Sequence, residues 1–283
     1  EVIMAIKNLL QKKLISPPDF LIDSIQYETI MGSQAYGVSN NDSDIDIYGF
    51  CIPPKEIIFP HLNGEIPGFS TPGTRFDQFQ QHHIKSEVGK NYDLVIFSIV
   101  KYFRLCMDNN PNMIDSLFTP RRCVLQQTNI ANIVRENRKK FLSKKSFHAF
   151  KGYSYSQFHK IKSKKETLER LLNPLKNIYL VDDDNLDLEK MDIEIENRKT
   201  NKPCNYESLD ERELFELKNK FEVIQNEHGR VNLILKFGYD VKFAYHVVRL
   251  LNEVEQILES YDLDLEKNNE QLKSIRRGEW TLE

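Results

Sequence analysis

Tyr27-Glu28-Thr29-Ile30-Met31-Gly32-Ser33-Gln34-Ala35-Tyr36-Gly37, followed after a polar turn by Ser43-Asp44-Ile45-Asp46-Ile47-Tyr48-Gly49-Phe50, is the stretch that decides the fold. Tyr27 to Met31 reads as a strand that runs into Gly32-Ser33. A glycine there lets the backbone approach a phosphate closely, turn N–H groups can donate to it, and the Ser33 hydroxyl adds another donor. In the second segment apolar and polar residues alternate, which predicts a half-buried strand. Asp44 and Asp46, two apart on that strand, point to one face. Carboxylates held side by side repel each other, and an oxygen-seeking cation such as Mg2+ or Mn2+ relieves the repulsion while bridging to a nucleoside triphosphate. The order of strand, Gly-Ser, short loop and Asp-x-Asp strand therefore points to metal-assisted phosphoryl transfer. A third carboxylate from a neighbouring strand would complete the set. Asp93, opening the apolar run Tyr92-Asp93-Leu94-Val95-Ile96, is placed to supply it.

Outward from this centre, Ile3, Ile6, Leu9, Leu10 and Leu14 predict a first helix, stopped by Ser16-Pro17-Pro18. The Pro- and Gly-bearing residues 53–74 read as a surface excursion, and 76–84 as a strand that carries His82 and His83. For that histidine pair a substrate or acceptor contact and a structural role both stay open. A helix through about Met107, with Ile99, Phe103, Cys106 and Met107 inward, ends at Asn109-Asn110-Pro111. Beyond about residue 126 long helices are expected, interrupted by a charged, weakly patterned insertion at about 173–230. The chain thus divides into a predicted catalytic domain, 1–125, and a mainly helical domain, 126–283.

The 283 residues carry a net charge of −3, so no global positive field draws the chain to nucleic acid, and any such attraction must be local. Four scattered cysteines without CxxC spacing argue against a disulfide framework or a zinc site and suit a reducing cytoplasm. No apolar run approaches membrane-spanning length and no signal peptide is read, so a cytoplasmic protein without a membrane partner is expected.

These residues resemble the DNA polymerase beta-like nucleotidyltransferase superfamily, and within it the predicted nucleotidyltransferases associated with RNA repair. The likeness rests on Gly32-Ser33-Gln34-Ala35-Tyr36-Gly37, on Ser43-Asp44-Ile45-Asp46 followed by Tyr48-Gly49 and Pro53-Pro54, and on Asp93 through Asn110-Pro111. It continues in Tyr239-Asp240-Val241-Lys242-Phe243-Ala244-Tyr245-His246-Val247-Val248-Arg249-Leu250-Leu251 and Ile275-Arg276-Arg277-Gly278-Glu279. Tyr48 stands where many relatives carry Arg. The resemblance implies an α+β nucleotidyltransferase fold, a mixed sheet flanked by helices, followed by a mainly helical C-terminal domain. It also implies nucleotide contacts from Gly32, Ser33, Tyr36, Lys242, His246, Arg249 and Arg276, beside metal ligation by Asp44, Asp46 and Asp93.

Spacing adds to this: Lys242, His246, Arg249 and Glu253 fall on one stripe of a helix whose apolar face is Val241, Ala244, Tyr245, Val248, Leu251 and Val254. Three basic groups in a row suit triphosphate oxygens; the plainer reading is an exposed face with internal salt bridges. Residues 135–165 hold eleven Lys or Arg against the single acid Glu136, interleaved with Phe141, Phe147, Phe150, Tyr153, Tyr155 and Phe158. Cations among stacking rings suit single-stranded RNA, whereas aromatics buried in amphipathic helices would produce the same pattern. The expected function is transfer of a nucleoside monophosphate from an NTP to a hydroxyl, with release of pyrophosphate and an RNA end as acceptor. The alternatives are a protein or small-molecule acceptor, or a regulatory module that binds NTP without turnover.

Overall fold

The computed structural model describes residues 5–40, 43–64, 76–86 and 89–281. Ile3 of the first helix, Asn41 and Asp42 of the turn, and 65–74 of the surface excursion lie outside them. In chain order the elements are α1 (Ile6–Gln11), α2 (Leu21–Ser24), β1 (Ile25–Ile30), α3 (Gly32–Ala35), β2 (Ile45–Cys51), α4 (Lys55–Ile58), β3 (Gln78–Lys85), β4 (Asn91–Ser98), α5 (Ile99–Met107), α6 (Pro111–Phe118), β5 (Val124–Gln127) and α7 (Asn129–Glu136). Then follow α8 (Lys145–Tyr179), α9 (Leu188–Lys199), α10 (Glu211–His228), α11 (Val231–Phe237), α12 (Val241–Ser260) and α13 (Asn269–Arg276). The fold is α+β, with a mixed sheet and many helices, as expected.

Two compact units emerge, one from 1–153 with 249–271 and the other from 154–248 with 272–283. This departs from the consecutive division at residue 125, because the chain returns to the first unit late and α8 and α12 each contribute residues to both. Helical periodicity continues through such a boundary, so composition alone does not mark it.

In the first unit the strands are ordered β3-β4-β2-β1-β5. β2 and β4 run parallel, and the other neighbouring pairs are antiparallel. The inward residues of β2 are the alternating Ile45 and Ile47, then Phe50, and Tyr27, Phe50 and Tyr102 form a continuous aromatic centre with centroid separations of 5.8 and 4.9 Å. Sequence signals mark the helix starts. Ser98 caps α5 by accepting from the Lys101 N–H, and Asn110 caps α6, with Pro111 at the first helical position.

The charged stretch at 173–230, expected as a weakly ordered insertion, is helical and has its own core in the second unit. Leu168, Leu172, Leu186, Met191, Leu214, Leu217, Phe221 and Val231 pack together there. Asp210 and Glu213 form a reciprocal capping box at the start of α10, which compensates for the weak apolar pattern. On α12 the expected apolar face is only partly inward: Val241, Tyr245 and Val254 are buried, whereas Leu251 is 49% exposed. Among the described residues no helix is long and apolar enough to cross a membrane.

Gly49 marks the tightest point of the sheet. A Cβ there would meet the Tyr27 carbonyl oxygen at 2.0 Å and Ile96 Cδ1 at 2.8 Å. Gly49→Ala is therefore expected to lower the free energy of unfolding by about 1–3 kcal/mol, the usual cost of overpacking, as measured by urea denaturation.

Candidate active site

The parallel pairing of β2 with β4 sets Asp46 opposite Asp93, with Ile45 opposite Tyr92 and Ile47 opposite Leu94. The flanking pairs face the core, so the two aspartates emerge together on the other face. Asp46 also reaches back to the Gly-Ser turn. Gly32 has φ of +64°, and a Cβ on it would lie 2.1 Å from Asp46 Oδ2. The glycine therefore provides a left-handed conformation and room for a carboxylate oxygen at once. The Met31 N–H donates to the Asp46 carbonyl at 2.7 Å, tying the turn to β2. Asp44 lies one residue ahead of β2 rather than on it, and is exposed. It supplies a carboxylate from the approach to the strand instead of sharing the pleat with Asp46.

Asp93 is held by a local irregularity that sequence spacing does not disclose. The β3–β4 register slips between Gln81 and Ile84, and His83 adopts φ of +55°. Its N–H donates to Asp93 Oδ1 at 2.7 Å, while His82 Nδ1 lies 3.6 Å from the same oxygen. The bulge thus aims one edge-strand N–H and one imidazole at a site carboxylate. Tyr48, two residues beyond Asp46, has its phenol pushed up to about 12, first by burial and then by the negative charge of Asp46, with smaller contributions from Tyr153, Asp93 and Asp115. The phenol therefore stays neutral beside the carboxylates.

Tyr36 and Arg249, expected at the triphosphate, are instead buried behind the turn. The Tyr36 hydroxyl donates to Asp115 Oδ2 at 2.7 Å. Arg249 Nη1 donates to the same oxygen at 2.5 Å and to Glu253 Oε1 and Oε2 at 2.9 and 3.0 Å, with its guanidinium carbon 4.3 Å from the Tyr36 ring centroid. The polar stripe of α12 thus turns into the interior at its second half. Sequence reasoning missed Asp115; its place on α6 beside a run of apolar residues, three positions after Asn112, offered no signal. Arg122 braces the turn from another side, donating to the Gln34 carbonyl at 3.0 Å and to Glu266 Oε1 at 2.5 Å.

Lys242, His246 and Arg276 belong to the second unit. Lys242 is exposed on the first turn of α12. His246 and Arg276 both lie by Tyr245, with a ring separation of 4.2 Å and a cation–ring distance of 5.4 Å. In the basic segment, Phe150 is buried, but Phe147, Tyr153, Tyr155 and Phe158 are exposed, so most of its rings are not core.

Asp46 and Asp93, set opposite each other, offer oxygen donors of the kind a hard divalent cation takes, with Asp44 on the approach to β2, and the space beside Gly32 is shaped around the Asp46 carboxylate. Among the described residues no three Asp, Glu, His or Cys side chains gather closely enough to enclose a metal ion. Magnesium typically takes one or two carboxylates and completes its shell with water and substrate phosphates, so the donor set fits that use.

A mixed sheet with a Gly-Ser turn against paired aspartates on parallel strands defines the nucleotidyltransferase type of α+β fold. The chain belongs to the RlaP family, described as the RNA repair pathway DNA polymerase beta family, whose match runs over residues 6–275. This membership supports a nucleotidyltransferase-type function. The chain is also similar to a protein of Enterobacteria phage T4, described as an uncharacterized 38.9 kDa protein in the nrdC-mobD intergenic region, with 25% identity over 175 residues. That alignment takes in 61% of this chain and 49% of the phage protein, so the chain spans about half the length of this curated relative. No solved structure matches the chain.

The buried carboxyls make stability depend on pH. Burial, with Asp115 adding its charge, pushes Glu253 up from 4.5 to about 8 despite the opposing Arg249. Glu253 therefore keeps its proton in the folded state while the unfolded chain releases it above about 4.5. Stability attributable to this group falls as pH rises from about 4.5 to about 8 and is level beyond. Burial likewise lifts Glu28 to about 7, so its contribution levels off sooner. Glu253→Gln is expected to flatten the decline in melting temperature between pH 7 and 8; an unchanged slope would show that Glu253 is already ionised there.

Proposed function

We propose that the protein transfers a nucleoside monophosphate from an NTP to the hydroxyl of an RNA end and releases pyrophosphate. The observation that carries this reading is the register placing Asp46 beside Asp93, with the Asp46 carboxylate packed against Gly32 of the Gly-Ser turn. Family membership and the exposed aromatic rings among the cations of 135–165 support the RNA acceptor.

Asp46 and Asp93, with Asp44 from the approach to β2, would hold Mg2+ or Mn2+. Bound there, the metal would neutralise triphosphate charge and lower the pKa of the acceptor hydroxyl. The Gly32-Ser33 turn offers backbone N–H groups and a hydroxyl to the phosphates, and the missing Cβ lets them come close. The His83 N–H and His82 fix the rotamer of Asp93. Tyr36, Asp115, Arg249 and Glu253 hold the turn rigid from behind, so that the donors are positioned before substrate arrives. The acceptor oxygen bonds to the α-phosphorus as the bond from that phosphorus to pyrophosphate breaks.

The test uses each NTP labelled at the α-phosphate, with Mg2+ or Mn2+, with and without total cellular RNA. Label is expected on RNA with the wild type and at background with Asp46→Asn or Asp44→Asn. Gly32→Ala is expected to lower the rate at least about a hundredfold, because displacing the Asp46 carboxylate misaligns the site. Label arriving on protein or a small molecule would overturn the RNA acceptor, and NTP binding without pyrophosphate release would overturn catalysis.

A further inference from the structure

Within the second unit, one face of α8 and one ring from α12 line an open groove of about 620 Å3. The α8 residues are Ser156, His159, Lys160, Ser163 and Lys164, spaced three and four apart, and Phe243 forms the opposite wall. Cations surround that ring: Lys160 and Lys164 Nζ each lie 5.8 Å from its centroid, and Arg230 Cζ lies 5.0 Å away. The counter-charge is Asp240, which is fully buried and pairs with Lys164 at 3.5 Å and Arg230 at 3.1 Å. Asp240 also caps α12, accepting from the Lys242 N–H at 3.0 Å. Three cations against this one carboxylate leave an excess of two positive charges. Burial, and after it the charge of Arg230, holds the Lys164 ammonium below its ordinary pKa.

Packing accounts for Lys164 and Arg230, which sit on Asp240. It does not account for Lys160, exposed on the same face between the hydroxyls of Ser156 and Ser163. Beside them Tyr155 stands 63% exposed, with the His159 ring edge-on at 4.3 Å. A cationic groove with hydroxyl donors and a flat, solvent-facing ring at its flank suits a ligand that offers both phosphodiesters and stackable bases. An acidic peptide would match the charge but leave the ring unused.

We propose that this groove binds single-stranded RNA, with a phosphodiester at Lys160, Lys164 and Arg230 and an adjoining base on Tyr155. The proposal rests on the reading of RNA as the acceptor and locates where the second unit grips it.

Fluorescence anisotropy of the full chain with a short labelled single-stranded RNA, across a salt series, tests it. Lys160→Glu is expected to weaken binding at least about tenfold and to make the slope of log K against log salt shallower by about 0.7, the loss of one phosphate contact on a single strand. Tyr155→Ala is expected to weaken binding at least about fivefold, with little change of slope. Lys199→Glu, an equal charge change at an exposed position elsewhere in this unit, serves as control. Circular dichroism confirms folding of each variant. The proposal is overturned if the wild type does not bind RNA, if Lys160→Glu behaves like the control, or if poly-glutamate displaces RNA as effectively as unlabelled RNA does. Asp46→Asn, measured in parallel, should bind RNA like the wild type. RNA held through Lys160 without label transfer would refute the proposed reaction and leave the groove standing. Transfer to RNA whose RNA-concentration dependence is untouched by Lys160→Glu would refute the groove and leave the reaction standing.

Discussion

Arg249 is a single guanidinium shared by two buried carboxyls, and the shape of the Gly-Ser turn depends on that arrangement. Asp115 accepts both from Arg249 Nη1 and from the Tyr36 hydroxyl, while both oxygens of Glu253 accept from the same Nη1. Two acids with one cation in a dry environment cannot both ionise at modest cost, and the raised pKa of Glu253 is how the cluster resolves the imbalance. Such a network adds little net stability against an apolar replacement, but removing Arg249 or Asp115 leaves a buried charge at a cost of about 3–5 kcal/mol. The cluster also joins three distant parts of the chain: the turn after β1, α6 and the second half of α12. What it yields is a turn that cannot drift.

In front of that anchor the site is assembled by close approach. Asp46 Oδ2 occupies the position a side chain on residue 32 would fill, so the glycine and the aspartate are mutually required. Parallel pairing then brings Asp93 alongside, and the bulge at His82 and His83 adds a hydrogen bond that a regular strand could not direct there. Two left-handed residues flank the carboxylates, Gly32 on one side and His83 on the other.

The second unit follows a different logic. Its core of leucines and aromatic rings is ordinary, and its distinctive feature is the use of one buried aspartate to gather cations around a phenylalanine. Asp240 caps a helix, neutralises part of the charge and fixes the cations in place, so that the groove is preset rather than formed by mobile side chains.

Local chemistry was legible in the sequence wherever neighbours in the chain are also neighbours in space. The strands flanking Gly32-Ser33, the alternation through Asp46, the helix stop at Asn109-Asn110-Pro111 and the chemical character of the three aspartates could all be read directly, because strand and turn geometry act over a few residues. The sequence by itself thus determined an α+β chain with a Gly-Ser turn followed by paired acids. Only the tertiary structure decided which of the residues in the family-like motifs reach the surface and which face the interior. Lys242, His246 and Arg249 share a stripe, yet Arg249 is buried, since a helix's own periodicity cannot say what packs against each turn. Asp115, the bulge at His83 and the division into two units depend on contacts between segments far apart in the chain. The Phe243 groove does too. No spacing within a single segment encodes such contacts.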